Sequence, residues 1–192
     1  MSDDPDVALM LEFTKGREDA FVELYHRHRD RIVSFTGRML GNRAQAEEAA
    51  QDVFLKLYRT RDSYEPRSRF STFLYRIATN HCLNLQSRVE RKLLDRERKV
   101  ERLAGAPGGD QTAELDRQRL RELLAVALSK LPERQRAALL LVHYEGLSYR
   151  EAADAIGVTE PAIKSLIHRA RSTMMAELGP QLGLTPEVEH AV

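Results

Sequence analysis

The chain has a single cysteine, Cys82, among its 192 residues. No disulfide can form within it, and nothing in its cysteine usage points to an oxidising compartment. It has no apolar run near the roughly 20 residues that span a bilayer. The densest such stretch, AALLLV from Ala137 to Val142, is far too short. Met1 to Asp6 is acidic and lacks the basic and apolar segments of a secretory signal. These absences predict a cytoplasmic chain with no membrane insertion. Net charge is also nearly absent: 30 Lys and Arg stand against 29 Asp and Glu, for a formal +1. Any contact with nucleic acid must therefore come from local clusters.

Motifs for chemistry are lacking too. The glycine-rich GAPGGD, Gly105 to Asp110, is not followed by Gly-Lys-Ser/Thr, so it is not a phosphate-binding P-loop. There is no HExxH pair. His81 and Cys82 stand alone, and neighbours on a helix point about 100° apart, which is no metal-ligand set. His81 falls on the apolar side of its helix, as a core histidine would, whereas His26 and His28 flank Arg27 on a charged helix, as surface residues would. The expectation is a non-enzyme without metal or cofactor, and no catalytic residue stands out.

What is present is helical periodicity nearly throughout, with almost no strand alternation. Apolar residues outline helices over Val7–Lys15, Glu18–Leu40 and Ala44–Tyr58, with Gly41-Asn42 as a stop between the last two. Ser68 is a candidate N-cap for a long helix on which Phe70, Phe73, Leu74, Ile77, Ala78 and Leu85 face inward. From Asp95 to Gln118 a charge run leads through GAPGGD, the composition of a flexible linker. Helical pattern resumes at Leu120, breaks at Pro132 and restarts. The predicted class is all-α, with two small helical domains, 1–94 and 119–178, joined by a linker over 95–118 and followed by a short tail, 179–192.

The stretch LSYREAADAIGVTEPAIKSLIHRAR, Leu147 to Arg171, holds the clearest motif. Ser148 and Glu151 match a capping box. Gly157 can end the first helix in the left-handed conformation. Thr159 is placed to cap the second, and Pro161 sits in its first turn, where the missing N–H costs little. Ile163, Ile167, Ala170 and Met174 share one face, while Lys164, Ser165, His168, Arg169 and Arg171 project elsewhere. This is the layout of a helix-turn-helix, whose second helix enters the major groove. Arginine and lysine there supply phosphate and guanine contacts. The plainer reading is a helical hairpin with a solvated basic face.

The first domain carries two further patterns. Glu48, Gln51, Asp52 and Leu55 fall at spacings of three and four, so they share one helix face. That strip is either solvated surface or a dock for a basic partner helix. Tyr64, Arg67, Arg69, Phe70, Phe73, Tyr75, Arg76, Asn80 and Arg88 interleave aromatic and basic residues, the pattern single-stranded nucleic acid requires. Phe70 and Phe73 read as core. Tyr64, on a loop, and Tyr75, on the outer side of the helix, are the better candidates to stack on bases.

Four stretches in this order resemble the extracytoplasmic-function (ECF) sigma factors of bacterial RNA polymerase: AFVELYHRHRDRIVSFTGRML, AEEAAQDVFLKLY, STFLYRIATNHCLN, and LSKLPERQRAALLLVHYEGLSYREAADAIGVTEPAIKSLIHRAR. The likeness runs from about Asp19 to Leu178. It implies that the first domain is sigma region 2 and the second is region 4. Glu48, Gln51, Asp52 and Leu55 would then dock on the β′ clamp helices of core RNA polymerase. Tyr64, Arg67, Tyr75, Arg76, Asn80 and Arg88 would recognise and open the promoter −10 element, with an unstacked base held near the loop. Lys164, Ser165, His168, Arg169 and Arg171 would read the −35 element as duplex DNA, and region 4 would also rest on the β flap. An anti-sigma factor is the implied regulator. The family often has tryptophan where this chain has Phe73, and usually arginine where it has Leu166. The rival reading is a helix-turn-helix regulator that acts without docking on polymerase.

Overall fold

In the computed structural model the described residues are 4–93 and 111–183, without the side chains of 88–93 and 111–116. The linker residues 95–110 and the tail beyond Gly183 lie outside them, as do Met1–Asp3 and the side chain of Arg88. Every regular element among the described residues is helical. The first domain comprises α1 (Pro5–Thr14), α2 (Glu18–Leu40), α3 (Arg43–Arg59) and α4 (Phe70–Leu93), with a single tight turn at Arg61–Ser63. The second comprises α5 (Gln111–Ser129), α6 (Glu133–Leu139), α7 (Tyr149–Ile156) and α8 (Glu160–Leu182). A wide helical turn, Leu140–Tyr144, continues α6.

Two boundaries differ from the sequence expectation. The segment Gln111–Gln118, expected as linker, is already helix; its residues are adequate helix formers but carry no apolar stripe to reveal it. The segment from Gly179 to Leu182, expected as tail, is the last turn of α8, and Pro180 lies inside that helix.

In the first domain α2 and α3 pack as an antiparallel pair around Gly41, whose φ of +70° makes the left-handed turn that glycine allows. Asn42 then caps α3 by accepting from the Gln45 N–H at 3.1 Å. Thr36 lies fully buried and gives its hydroxyl to the Ala46 carbonyl across the pair, at 2.9 Å. The core is Met10, Phe13, Leu24, Ile32, Phe35, Met39, Val53, Leu57, Phe70 and Leu74, each contributing about 1.5–3 kcal/mol by burial. The N-cap for α4 is not Ser68, whose hydroxyl bonds the Arg69 carbonyl at 3.4 Å. Instead Asp4, from the start of the chain, uses one carboxylate oxygen on the Asp6 N–H and the other on the Phe70 N–H, both at 3.0 Å. One side chain thus caps two helices.

His28 is also inside. Its ring packs 5.2 Å from Phe70 and its Nε2 lies 2.8 Å from Asp6, because α1 folds over a position that the charged sequence of α2 presents as surface. His26 is exposed, and His81 is half-buried, 3.5 Å from Asp52.

The two domains pack on each other. α7 lies along α4, and α6 meets α4 and the end of α2. Buried side chains of both halves form one continuous apolar cluster.

Candidate nucleic-acid and partner interfaces

The helix-turn-helix is built as its sequence dictates. Ser148 accepts from the Glu151 N–H at 3.2 Å while Glu151 accepts from the Ser148 N–H at 2.9 Å, a complete capping box. Those bonds, with Thr72 and Arg69 nearby, hold the Glu151 carboxyl below its ordinary range although burial opposes them. Gly157 ends α7 at φ +75°. Thr159 stands at the N-cap of α8 but makes no side-chain capping bond. Ile163, Ile167 and Ala170 are buried beneath α8, with Leu166 half-buried against the same core.

Lys164, His168, Arg169 and Arg171 are exposed on α8, and Ser165 is half-exposed. Ser165 accepts from Arg169 at 2.8 Å, and Lys164 sits 3.5 Å from Glu160. The Arg171 guanidinium lies 3.0 Å from His143 Nε2, and burial and the Arg171 charge both push the His143 pKa down. The five side chains therefore lie along one basic helix surface, with four of them restrained by neighbours.

On α3, Glu48, Gln51, Asp52 and Leu55 are all exposed, Leu55 unusually so for its type. Gln51, Asp52 and Leu55 border an apolar groove of about 360 Å³ that also includes Phe21, Tyr25, Phe54 and Tyr58. The groove was not legible as such in the sequence, since three of its aromatic walls come from α2 and the far end of α3. Its floor is apolar and its rim acidic and polar, which suits a helix carrying both apolar and basic side chains.

The aromatic assignment on α4 needs correction. Tyr75, expected on the outer side, is 2% exposed; its ring packs 5.2 Å from Phe35 and its hydroxyl donates to Glu145 of the second domain. Burial and that carboxylate hold its hydroxyl well above the ordinary tyrosine range. Tyr64, expected on an open loop, is 7% exposed, with its ring 4.9 Å from Phe73. Burial, aided by the Asp4 charge, pushes its pKa up to about 12. Neither ring offers a free face to a base. Phe73, expected in the core, is only half-buried, with the Arg76 guanidinium 5.3 Å from its centroid. The reason is angular: Phe73 and Tyr75 lie about 200° apart around the helix, so they take opposite sides. Because α7 covers one of those sides, the open face is Phe73, Arg76 and Asn80, at spacings of three and four. Arg76 and Asn80 are exposed there. Arg67 is exposed on the loop and paired with Glu65.

Comparison with known proteins finds two family models on separate stretches of the chain. The sigma-70 region 2 family model covers residues 24–92, and the sigma-70 region 4 model covers 121–174. The chain is 30% identical to the ECF RNA polymerase sigma factor SigW of Bacillus subtilis, over 85% of this chain and 91% of that one. It is 33% identical to the RNA polymerase sigma factor CarQ of Myxococcus xanthus, over 88% and 95%. Among solved structures, CnrH in complex with the cytosolic domain of CnrY superposes with a TM-score of 0.68 at 25% identity, over 92% of this chain and 99% of that one. The sigma factor RpoE of Bartonella quintana, solved with the anti-sigma factor NepR, gives 0.69 at 27% identity, over 82% and 96%.

Proposed function

The chain belongs to the ECF RNA polymerase sigma factors, and on that premise we propose how its surfaces divide the work of promoter-specific initiation. The α3 groove, with Gln51, Asp52 and Leu55 on its rim and Glu48 one turn earlier, takes the β′ clamp helices of core RNA polymerase. The open face of α4, Phe73, Arg76 and Asn80, together with Arg67 and the Arg61–Arg69 loop, holds the unpaired −10 strand. The α8 residues Lys164, Ser165, His168, Arg169 and Arg171 read the −35 duplex, while the second domain rests on the β flap. An anti-sigma factor is the regulatory partner, a reading supported by RpoE having been solved with one.

The observation that carries the reading is the α3 groove. A helix-turn-helix regulator acting alone has no use for a solvent-facing apolar groove on its other domain, rimmed by Gln51 and Asp52. The test is binding to purified core polymerase followed by run-off transcription on fragmented genomic DNA of the source organism. Tight binding and discrete new start sites are expected. Duplex binding without any association with core would favour the polymerase-independent regulator.

Two substitutions separate the surfaces. Gln51→Ala with Asp52→Ala is expected to weaken core binding by about tenfold, as loss of an interface hot spot does, with duplex binding unchanged. Arg171→Ala is expected to weaken binding to every duplex alike and to reduce the slope of log K against log salt by about 1. Titrations at several salt concentrations measure it, and an unaltered slope would remove Arg171 from the phosphate contacts.

A further inference from the structure

The seam between the two domains is apolar in part, and beside that part it carries a buried polar cluster. Glu145, in the turn before α7, has a side chain only 5% exposed. It accepts from the Tyr75 hydroxyl on α4, and lies 3.4 Å from Arg31 and 3.9 Å from Arg38, both on α2. Arg31 also donates to the Glu145 backbone carbonyl at 3.4 Å. The adjacent Tyr144 ring lies 4.6 Å from the Arg38 guanidinium. One turn into α7, Glu151 takes the Thr72 hydroxyl at 3.2 Å and lies 3.8 Å from Arg69. A polar cleft of about 130 Å³ runs beside Glu145, lined from both domains. A single carboxylate of the second domain is thus held by three residues of the first.

We propose that Glu145 is the pin of an intramolecular latch that holds the two domains closed in the free chain and must release for both promoter elements to be engaged at once. The need to release rests on the functional reading above. A compact chain of this length has a radius of gyration of about 16 Å. The −10 and −35 elements, by their names about 25 base pairs apart, are separated by roughly 85 Å along B-form DNA. The closed chain is too small to span them. Closure does not act by covering the working surfaces, because Gln51, Asp52, Leu55, Arg76, Asn80, Lys164, His168 and Arg171 are all exposed in it. It acts by fixing their separation. The apolar part of the seam holds the domains together, and the Glu145 cluster supplies the directional, charge-dependent part that a competing charged partner can displace.

The test is an inter-domain distance measurement on the free full-length chain, with spin labels at Asp30→Cys and Ser172→Cys, both exposed. The native Cys82 is fully buried, with a thiol pushed up to about 12, and escapes labelling. A narrow, short distance is expected for the wild type. Glu145→Lys, which sets a cation against Arg31 and Arg38, is expected to raise the ratio of open to closed chains by about tenfold or more. Adding Arg31→Glu and Arg38→Glu to Glu145→Lys should restore the short distance, which a merely damaged fold would not do. Tyr75→Phe, which removes only the hydroxyl, should open the chain in part; it gives the same readout if Glu145→Lys fails to fold. An unchanged distance in folded Glu145→Lys and Tyr75→Phe overturns the latch, as does a long distance in the wild type. In the second arm, Glu145→Lys mixed with core polymerase should associate with a promoter carrying both elements faster than the wild type does, by the factor by which its open fraction rises. Opening without faster association overturns the requirement for release. Failure of the wild type itself to bind core overturns the functional reading and leaves the distance measurement to decide the latch.

Discussion

Replacing Arg136 with alanine is expected to lower the unfolding free energy by about 3 kcal/mol, since it removes three hydrogen bonds from a charged group, two of them buried. Arg136 is 7% exposed on α6. Its guanidinium donates to the Met39 carbonyl near the end of α2, and to the Ser129 and Leu131 carbonyls at the end of α5, the last two at 2.9 and 3.0 Å. Carbonyls at helix C-termini have no partner within their own helix, and each helix presents its negative dipole end there. One fixed cation therefore satisfies the ends of two helices from different domains. Burial pulls the Arg136 pKa down, but a guanidinium starts so high that it stays charged. Alanine takes the side-chain donor from the Ser129 and Leu131 carbonyls, leaves the Met39 carbonyl to the Gln86 side-chain amide alone, and opens a void. For a chain of this size the loss corresponds to a fall in melting temperature of about 6–12 °C. Arg136→Lys should recover only part of it, because an ammonium lacks the planar fork that reaches carbonyls on both sides. Denaturant melts of the three proteins measure this. A wild-type melt from Arg136→Ala would show that water replaces the guanidinium without cost.

The contrast between Arg136 and Ser148 shows where the sequence was informative. Ser148, Glu151 and Gly157 act within a few residues of themselves, so their spacing alone specifies a capped helix and a left-handed turn, and the structure has both. α2 was likewise legible to its last residue, because Gly41 ends it locally. Arg136 is one of many arginines in a charged sequence, and its partner Met39 lies 97 residues away. Glu145, 70 residues from Tyr75, and Asp4, 66 residues from Phe70, are hidden in the same way. Nothing local distinguishes such residues from solvated surface. The misassignment of Tyr75 has a related cause. One apolar stripe on α4 predicts one buried side, but α4 is covered by its own domain and again by α7. Phe70 and Leu74 meet the first cover; Thr72 and Tyr75 reach the second. Periodicity within a helix reports how many of its residues are apolar on a face, not how many neighbours the helix will have. The same limit hid the α3 groove, which exists only once α2 sets Phe21 and Tyr25 beside Leu55.

The correction on α4 leads to the second large effect. Phe73→Ala is expected to weaken binding of the unpaired −10 strand by about 2 kcal/mol, roughly 30-fold, the usual loss when a ring that stacks on a base is removed. In the free chain Arg76 lies against the Phe73 ring and Tyr64 packs on its edge. A base can take the place of the Arg76 guanidinium, which is exposed and can then turn to the phosphate. Asn80, one turn further on the same face, offers both a donor and an acceptor to the base edge. Asn80→Ala disturbs no packing, so its expected loss of about 1 kcal/mol is free of any effect on folding. Tyr75→Phe is the opposing control. Its ring stays in the core against Phe35, and it should bind the strand as the wild type does or somewhat better, since it loosens the contact with Glu145. The measurement is fluorescence anisotropy of the labelled non-template strand of a promoter selected by the assembled holoenzyme. It is made with each variant loaded on core polymerase. If Tyr75→Phe loses affinity while Phe73→Ala keeps it, the outer face of α4 is not the strand-holding surface, and the seam-side face of α4 must become accessible when the domains part.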